Sequence, residues 1–384
     1  MRILSALTYY RPYTSGLTIY AERLARAFVE RGHEATVLTT RYDSALPRSE
    51  TLHGVNVVRA NVLFSVSKGV ISPTIGFLAS KLCYTHDAIV LHLPQFDAAG
   101  IAFRGRLHGK PTVLTYHCDL QLPPTPFNQL ATGVVSVMNN LSARFAHGIV
   151  AYTQDYADNS PFLRRFADKI TVIPPPVSLP VSAKDASPEL LVDDGSGPLI
   201  GMAARFAAEK GVEVLLDAYA KVSERYPNAK ILFAGQHQDV LGEQEYIARL
   251  APRIRELEAK RKWRFVGILP QDQMAHFFRK INVLVVPSLN STESFGLVQI
   301  EAMMNCVPVV ASDLPGVRQP IRMTGMGRVV PIGDSDALAR GLLETLECQV
   351  SRTATPGTLE MFHPHHIAEK YENLFAKLAA KAPA

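Results

Sequence analysis

The chain has 384 residues, of which 47% are apolar and 20% charged, a composition that is typical of a globular protein and excludes a disordered or fibrous one. This length predicts two domains rather than one or four. The formal net charge of +5 is too small and too dispersed for a nucleic-acid-binding protein, so no nucleic acid partner is expected.

Apolar runs typical of buried strands alternate with helical patterns in the first part of the chain. This alternation predicts βαβ units around a parallel sheet. Apolar residues recur at three- and four-residue spacing from Leu17 to Phe28, which predicts a helix that stops at Gly32. The predicted strands are Ile3–Leu7, Ala35–Thr39, Val55–Arg59, Ala88–Leu93, Thr112–Tyr116, Ile149–Tyr152 and Ile170–Ile173.

A proline-rich and polar stretch, 174–198, interrupts the alternation and predicts a linker between two domains. A second series of strands follows, so we expect a second doubly wound sheet, and then an amphipathic helix from about Pro364 to Ala380. The strands predicted in the second series are Leu199–Ala203, Ile231–Ala234, Arg264–Val266, Val283–Val286, Val307–Val310 and Arg328–Val330. Ligands of such sheets bind at the carboxyl ends of the strands, so the turns that follow strands are where chemistry is expected.

Two features follow strands of the first domain. Ser15 and Gly16 precede the first helix, where backbone N–H groups and the helix dipole favour an anion, although an ordinary turn fits equally well. The turn lacks the further glycines of a dinucleotide or P-loop motif, which argues against NAD or ATP. His117 follows a strand and can hydrogen-bond a sugar hydroxyl or hold a proton, although a lone histidine is more often structural.

The first strand-to-helix turn of the second domain carries two cations, Arg205 and Lys210. They can converge on a diphosphate, the arginine as a bidentate fork and the lysine as a point charge. Fixed cations at this place stabilise the negative charge that builds on a departing diphosphate, without a metal. A pair of solvated surface charges is the alternative interpretation.

The segment after the strand Val283–Val286 is the most specific in the chain. Glu293 lies in the predicted turn, Phe295-Gly296 begins the next helix, and Glu301 lies within that helix. One carboxylate and the helix N-terminus can therefore face a ligand together, while the second carboxylate reaches it from further along the helix.

Taken together, these segments resemble glycosyltransferase family 4, the retaining, nucleotide-sugar-dependent enzymes of the GT-B fold, over nearly the whole chain. The resemblance implies two Rossmann-like, doubly wound parallel-sheet α/β domains that face a central cleft. Residues 1–175 and a C-terminal helix of about 364–384 that crosses back form the acceptor-side domain, and residues 176–363 form the donor domain. The segments that carry it are Ser15-Gly16, Gly32-His33-Glu34, Arg205, Glu209-Lys210-Gly211, Glu293 to Glu301, and Pro308-Val309-Val310-Ala311-Ser312.

The resemblance further implies transfer of a hexose from a nucleoside diphosphate sugar, with UDP favoured, to a hydroxyl acceptor, with neither cofactor nor metal. It gives catalytic roles to His117, near the 6-hydroxyl of the donor sugar, to Arg205 and Lys210 on the diphosphate, and to Glu293 on the sugar hydroxyls. Glu301 is expected at the donor ribose. The complete implied donor site comprises Gly16, Arg205, Lys210, Ile268 near the nucleobase, Glu293, Phe295, Gly296, Leu297, Val298 and Glu301.

Two departures from the family pattern follow Glu301. Asn305 and Cys306 stand where a glycine is usual, and asparagine tolerates a left-handed helix end. Gln319 stands where a carboxylate is frequent. Two alternatives therefore remain beside the transferase: a nucleotide-sugar 2-epimerase of the same fold, and a catalytically inactive nucleotide-sugar-binding partner subunit.

The chain is expected in the cytoplasm, since its start lacks a signal-peptide pattern, its four cysteines form no C-x-x-C pair, and no apolar run reaches the length of a membrane span. Residues 1–175 carry 17 basic and 11 acidic side chains. Peripheral contact with an anionic inner membrane face, and a lipid-linked or cell-surface glycan precursor as acceptor, are therefore expected. The segments that carry this expectation are the apolar stretch Asn61–Cys83 with Lys68 and Lys81, and the basic residues Arg104, Arg106, His108 and Lys110. The alternative interpretation of these segments is a buried helix with a solvated loop.

Overall fold

The computed structural model describes residues 1–66, 69–121, 126–178 and 195–380. The chain forms two compact units, which we call the first unit (Met1–Val177 with Met361–Ala384) and the second unit (Ser178–Glu360). These limits lie within three residues of the domain limits expected from the sequence. The acceptor-side and donor-side roles of the two units stay a prediction.

The first unit is built around an eight-stranded sheet with the strand order β10-β9-β8-β7-β1-β2-β4-β3. Its pairs are parallel except for β3 with β4, and β5 and β6 form a separate antiparallel hairpin. The strands are β1 (Arg2–Ala6), β2 (Glu34–Arg41), β3 (Ser49–Leu52), β4 (Val55–Asn61), β5 (Phe64–Val66), β6 (Gly69–Ile71), β7 (Ala88–Leu93), β8 (Thr112–Tyr116), β9 (Gly148–Ala151) and β10 (Ile170–Val172).

Helices cover this sheet, so its central strands β7 and β8 are buried along their whole length. The first helix begins at Gly16, one residue earlier than the sequence predicts, because Ser15 caps it: the Ser15 hydroxyl accepts from the Thr18 N–H (3.2 Å) and the Thr18 hydroxyl accepts from the Ser15 N–H (2.7 Å). The helices of this part are α1 (Gly16–Glu30), α2 (Ile75–Thr85), α3 (Ala98–Leu107), α4 (Pro126–Phe145) and α5 (Gln154–Asn159).

The second unit has a six-stranded, all-parallel sheet with the order β13-β12-β11-β14-β15-β16. The order reverses at β11, which lies between β12 and β14, and this switch point is where such sheets bind ligands. Its strands are β11 (Leu199–Ala203), β12 (Lys230–Ala234), β13 (Trp263–Gly267), β14 (Val283–Val286), β15 (Val309–Ser312) and β16 (Gly327–Val330). Its helices are α6 (Val212–Arg225), α7 (Gln244–Ala259), α8 (Gln271–Lys280), α9 (Leu297–Met304), α10 (Gln319–Thr324) and α11 (Ser335–Leu346).

The final helix, α12 (Pro364–Ala379), belongs to the first unit and packs against α1. Its buried face carries Tyr371, whose hydroxyl lies 2.8 Å from that of Tyr20 on α1. Glu372 accepts two hydrogen bonds from the Arg31 guanidinium, at 2.6 and 2.8 Å. Apolar packing and a bidentate ion pair therefore join the two ends of the chain.

Two sequence expectations need correction. The stretch 174–198 is not a linker throughout, because residues 174–177 are buried in the first unit and the Val177 N–H donates to the Phe362 carbonyl at 2.8 Å. Residues 179–194 of that stretch, and Lys68 of the expected membrane segment, lie outside the described residues. The segment 61–83 is not mainly a helix, since the hairpin of β5 and β6 precedes α2.

Candidate active site

Two neighbouring turns of the second unit bring the predicted cations together with the first predicted carboxylate. Arg205 and Lys210 follow β11, and Glu293 follows the adjacent strand β14. Lys210 Nζ lies 2.6 Å from Glu293 Oε2, and the two side chains are only 17% and 21% exposed. Arg205 Nη2 lies 2.9 Å from Glu209 Oε1. Both cations are thus held in place by carboxylates at the carboxyl edge of the sheet.

The close approach of the two turns depends on Gly211. Its φ of +68° is left-handed, and a Cβ at this position would lie 2.2 Å from the carbonyl oxygen of Pro287 in the other turn. The Leu289 N–H also donates to the Glu209 carbonyl at 2.9 Å. Backbone contact therefore sets the position from which Lys210 reaches Glu293.

The segment after Glu293 reaches its helix two residues later than expected. Phe295 and Gly296 precede the helix instead of beginning it, and Gly296 is the N-cap, with φ +76° and no capping side chain. The buried side chain of Gln299 fixes this entry, because its amide donates to the carbonyls of Phe295 and Val317, both at 2.9 Å. Leu297 supplies the first N–H of the helix, which has no partner within the helix itself.

Glu301 lies on α9, partly buried, as the sequence predicts. The expected left-handed residue after the helix is Cys306, with φ +60°, whereas Asn305 has φ −99°. The Asn305 side chain instead donates to the Glu301 carbonyl at 2.8 Å, which closes the end of the helix. The turn without glycine is therefore retained, although the prediction for Asn305 was wrong.

The remaining predicted donor contacts lie on other elements. Ile268 follows β13, two strands from β11, and is 63% exposed. Gly16 is exposed at the start of α1 in the first unit. Contacts of these residues with a nucleobase and a diphosphate stay predictions.

His117 lies directly after β8 in a buried group of rings in the first unit. Its Nε2 is 2.9 Å from Nδ1 of His92, and its Nδ1 is hydrogen-bonded to the Tyr152 hydroxyl. Burial, together with the neighbouring His92, lowers the pKa of His117 well below its usual value, and burial lowers the pKa of His92 to about 3. Both rings are neutral at physiological pH, and a sugar hydroxyl would have to replace Tyr152 or His92 at His117.

Tyrosines from distant parts of the chain surround this histidine pair. The Tyr371 hydroxyl of α12 lies 2.6 Å from Thr115 Oγ1 on β8, and the Tyr20 ring meets His117 edge-on at 5.0 Å between centroids. Sequence reasoning missed Tyr20, Tyr371, Thr115 and His92 as neighbours of His117. The available signals were His92 inside an otherwise apolar strand and Thr115 inside the next strand.

In the part of the chain that the structure describes, no helix combines the length and apolar character needed to cross a membrane. Nor do three or more histidine, cysteine, aspartate or glutamate side chains of the described residues gather into a metal-binding group. Metal-independent chemistry without a cofactor stays a prediction.

Comparison with known proteins matches both parts of the chain. A family model described as Glycosyltransferase Family 4 matches residues 14–180, and one described as Glycosyl transferases group 1 matches residues 184–356. Phosphatidyl-myo-inositol mannosyltransferase of Mycobacterium leprae is 27% identical over 364 residues, which cover 92% of this chain and 89% of the relative. The 2-deoxystreptamine glucosyltransferase of Streptomyces kanamyceticus is 26% identical over 391 residues, with 92% and 98% covered.

Among solved structures, Anabaena HepE in complex with UDP is similar in fold. Its TM-score is 0.73 at 19% sequence identity, and the match covers 98% of this chain and 100% of that chain. The likeness extends over both units.

Proposed function

Because this chain belongs to glycosyltransferase family 4 and has the GT-B fold, we propose that it transfers a hexose from a nucleoside diphosphate sugar to a hydroxyl acceptor with retention of anomeric configuration. The chain is a glycosyltransferase; its donor, stereochemistry and acceptor are the subject of the proposal. The contact between Lys210 and Glu293 carries it.

A sugar nucleotide joins its sugar to its phosphate through one C–O bond, so the groups that bind its two sides must be neighbours. Lys210, expected on the diphosphate, and Glu293, expected on the sugar, lie 2.6 Å apart although 83 residues separate them in sequence. As the C–O bond breaks, negative charge builds on the diphosphate, and Lys210 and Arg205 stabilise it. The departing phosphate oxygen takes the proton of the acceptor hydroxyl on the same face, which gives retention without a carboxylate nucleophile.

The nucleotide of the donor is proposed to be UDP. The similar fold of HepE, which was solved with UDP, supports this choice, as does the exposed Ile268 at the end of β13, where a nucleobase can pack. The acceptor is proposed to carry a cyclitol, because the two relatives described above are named for one: myo-inositol within a phosphatidyl lipid, and 2-deoxystreptamine.

The first test combines ligand binding with a matched pair of variants. Thermal unfolding against UDP, GDP, ADP and their sugar conjugates, with and without chelator, should give a chelator-insensitive shift with one base, since a ligand at 100 times its Kd stabilises by about 2.7 kcal/mol. Lys210→Ala should abolish transfer and keep the fold. Lys221→Ala, which removes an exposed partner of Asp336 in the same unit, should retain transfer.

Three results would contradict the proposal. Wild-type turnover by Lys210→Ala would exclude stabilisation of the departing diphosphate by Lys210. An inverted anomer in the product, read by NMR, would exclude retention. Release of a 2-epimerised sugar nucleotide would favour the epimerase instead.

We propose that the protein binds its acceptor at an anionic membrane face. The surface proposed to contact the membrane is called the α2–α3 surface. Its four large hydrophobic side chains are 47 to 77% exposed, and two exposed cations lie on the same two helices. This combination of apolar and basic groups fits the boundary of an anionic bilayer. The surface comprises Phe77, Lys81, Tyr84, Phe103, Arg106 and Leu107.

Flotation with anionic liposomes at low salt tests the α2–α3 surface. The wild-type chain should float with the liposomes, and Phe77→Ser combined with Leu107→Ser should not. Leu241→Ser, which removes an apolar side chain that is 55% exposed from the second unit, should leave flotation unchanged. Wild-type protein that stays in the dense fraction would remove the membrane proposal.

A further inference from the structure

The loop between β7 and α3 holds two polar side chains without partners among the described residues. Gln95 is only 3% exposed, and neither its amide nitrogen nor its amide oxygen has a hydrogen-bond partner. Asp97 is the N-cap residue of α3, yet its carboxylate makes no capping hydrogen bond and no ion pair. An unpaired buried amide is unfavourable, and an aspartate at this position ordinarily caps its helix. The loop therefore keeps two groups unsatisfied that a purely structural loop would satisfy.

Aromatic rings lie at the carboxyl ends of the neighbouring strands. In the sheet β7 lies between β8 and β1, and β2 is next to β1. Tyr9 and Tyr13 follow β1, and Tyr42 follows β2. The Tyr9 and Tyr13 rings stack at 4.8 Å, and Tyr42 contacts them edge-on at 5.5 and 5.9 Å. Tyr13 is 40% exposed, so part of its ring remains available to a ligand.

Buried charge holds the turn that carries Tyr13. The Arg59 guanidinium is buried and donates to the backbone carbonyls of Arg11, at 2.9 Å, and Pro47, at 3.2 Å. Arg11 in turn donates to Glu22 on α1 at 2.7 Å. The position of Tyr13 is therefore set by the protein itself, as a binding surface formed in advance requires.

We propose that Gln95, Asp97 and Tyr13 bind the hydroxylated ring of the acceptor, a cyclitol or sugar, at the carboxyl edge of β7 and β1. This inference rests on the proposed function and names the residues that select its acceptor. An amide both donates and accepts, and a carboxylate accepts twice, so together they match adjacent hydroxyl groups, each of which does both. The face of Tyr13 covers the C–H side of such a ring. His117, after β8, borders the same edge on the other side.

The test separates acceptor binding from donor use. Asp97→Asn, Gln95→Leu and Tyr13→Ala are assayed with UDP-glucose and GDP-mannose for transfer to free myo-inositol and to phosphatidylinositol vesicles, and for UDP or GDP release to water. Asp97→Asn and Gln95→Leu should each raise the acceptor KM about tenfold or more, the loss expected for one good hydrogen bond. Tyr13→Ala should raise the acceptor KM because it removes the ring face that covers the acceptor. In all three variants, the rate at which UDP or GDP is released with water as the acceptor should stay unchanged, and so should the thermal shift with UDP. Tyr13→Phe, which keeps the ring, should raise the acceptor KM less than Tyr13→Ala.

Asp87→Asn serves as the control, because Asp87 precedes β7 at its opposite end and pairs with Arg2. It should leave the acceptor KM unchanged. Transfer to free myo-inositol would identify a free ring as the acceptor, and transfer to phosphatidylinositol vesicles alone would identify a lipid headgroup. Either result supports the inference.

Gln95→Leu has a second readout, since removing an unpaired buried amide should raise the Tm of the acceptor-free protein by a few degrees. An unchanged acceptor KM in Asp97→Asn and Gln95→Leu would overturn the inference. It would also be overturned if the wild-type protein consumed the donor at a rate that neither free myo-inositol nor phosphatidylinositol vesicles changed. Absence of any donor consumption would instead count against the proposed function.

Discussion

His117 and His92 show at the scale of single residues how burial decides what a side chain can do. Both are neutral, because burial lowers their pKa values, and they form one hydrogen-bonded row with Tyr152. Each neutral ring has one N–H donor and one unprotonated nitrogen acceptor. If donor and acceptor exchange roles in one hydrogen bond of the row, they must therefore exchange roles in the next one as well. A hydroxyl that replaced Tyr152 would therefore meet a ring able to donate or accept, but not a positive charge.

Asp97 should make stability depend on pH in the sense opposite to an ordinary surface carboxylate. Burial raises its pKa to about 6, from 3.8 in the unfolded chain. Between these values the folded state binds the extra proton, so the contribution of Asp97 to stability is lost as pH rises through this window. Asp97→Asn should thus raise the Tm at about pH 7.5 and leave it nearly unchanged at about pH 4.

Asp87 provides the comparison of opposite sign for this measurement. Hydrogen bonds from Arg2 lower its pKa, so Asp87→Asn should lower the Tm slightly at neutral pH, the effect being small because both side chains are exposed. A Tm of Asp97→Asn that is lower than wild type at neutral pH would show that the carboxylate has a favourable partner.

At the scale of elements, continuous apolar runs and turn residues were enough to predict the two parallel sheets and to place Lys210 and Glu293 at strand ends. The short strand β3 was missed, because an edge strand with polar residues lacks the apolar run by which a buried strand is recognised. The strands β5 and β6 were missed because each has only three residues within the apolar stretch Asn61–Cys83. The ring cluster around His117 was missed for another reason. Tyr371 and Tyr20 meet across 351 residues, and one sequence contains no signal for such a contact.

Gly211 allows a prediction about how two elements come together. Gly211→Ala should separate the turn after β11 from the turn after β14, because its Cβ would lie 2.2 Å from the Pro287 carbonyl oxygen. Transfer activity should fall together with the free energy of unfolding, measured in urea. Gly325→Ala is the control, since Gly325 has a similar φ of +72° and no atom within 4 Å of the added Cβ.

The control variant should show the left-handed backbone strain alone, about 1–3 kcal/mol, with activity retained. Equal losses of stability and equal activities in the two variants would show that the contact of the turns is not what positions Lys210.

At the scale of the whole molecule, the first unit is completed by the last helix of the chain. Ile367, Tyr371 and Phe375 of α12 are at most 1% exposed, and Phe28 of α1 packs against the last two at 6.3 Å between ring centroids. Each such side chain contributes about 1.5–3 kcal/mol on burial. Their sum approaches the whole stability of a domain, about 5–15 kcal/mol.

Removal of residues 361–384 should therefore unfold the first unit, although its sheet stays complete in sequence. Calorimetry should show the loss of one transition, and hydrogen exchange should show protection lost in β1, β7 and β8 but kept in β11 and β14. Removal of residues 381–384 alone is the control and should leave both units protected. If the chain without residues 361–384 kept full protection in β1, then the packing of α12 on α1 would contribute little to the stability of the first unit. The Arg31–Glu372 and Tyr20–Tyr371 contacts would then not be needed to hold the surroundings of His117.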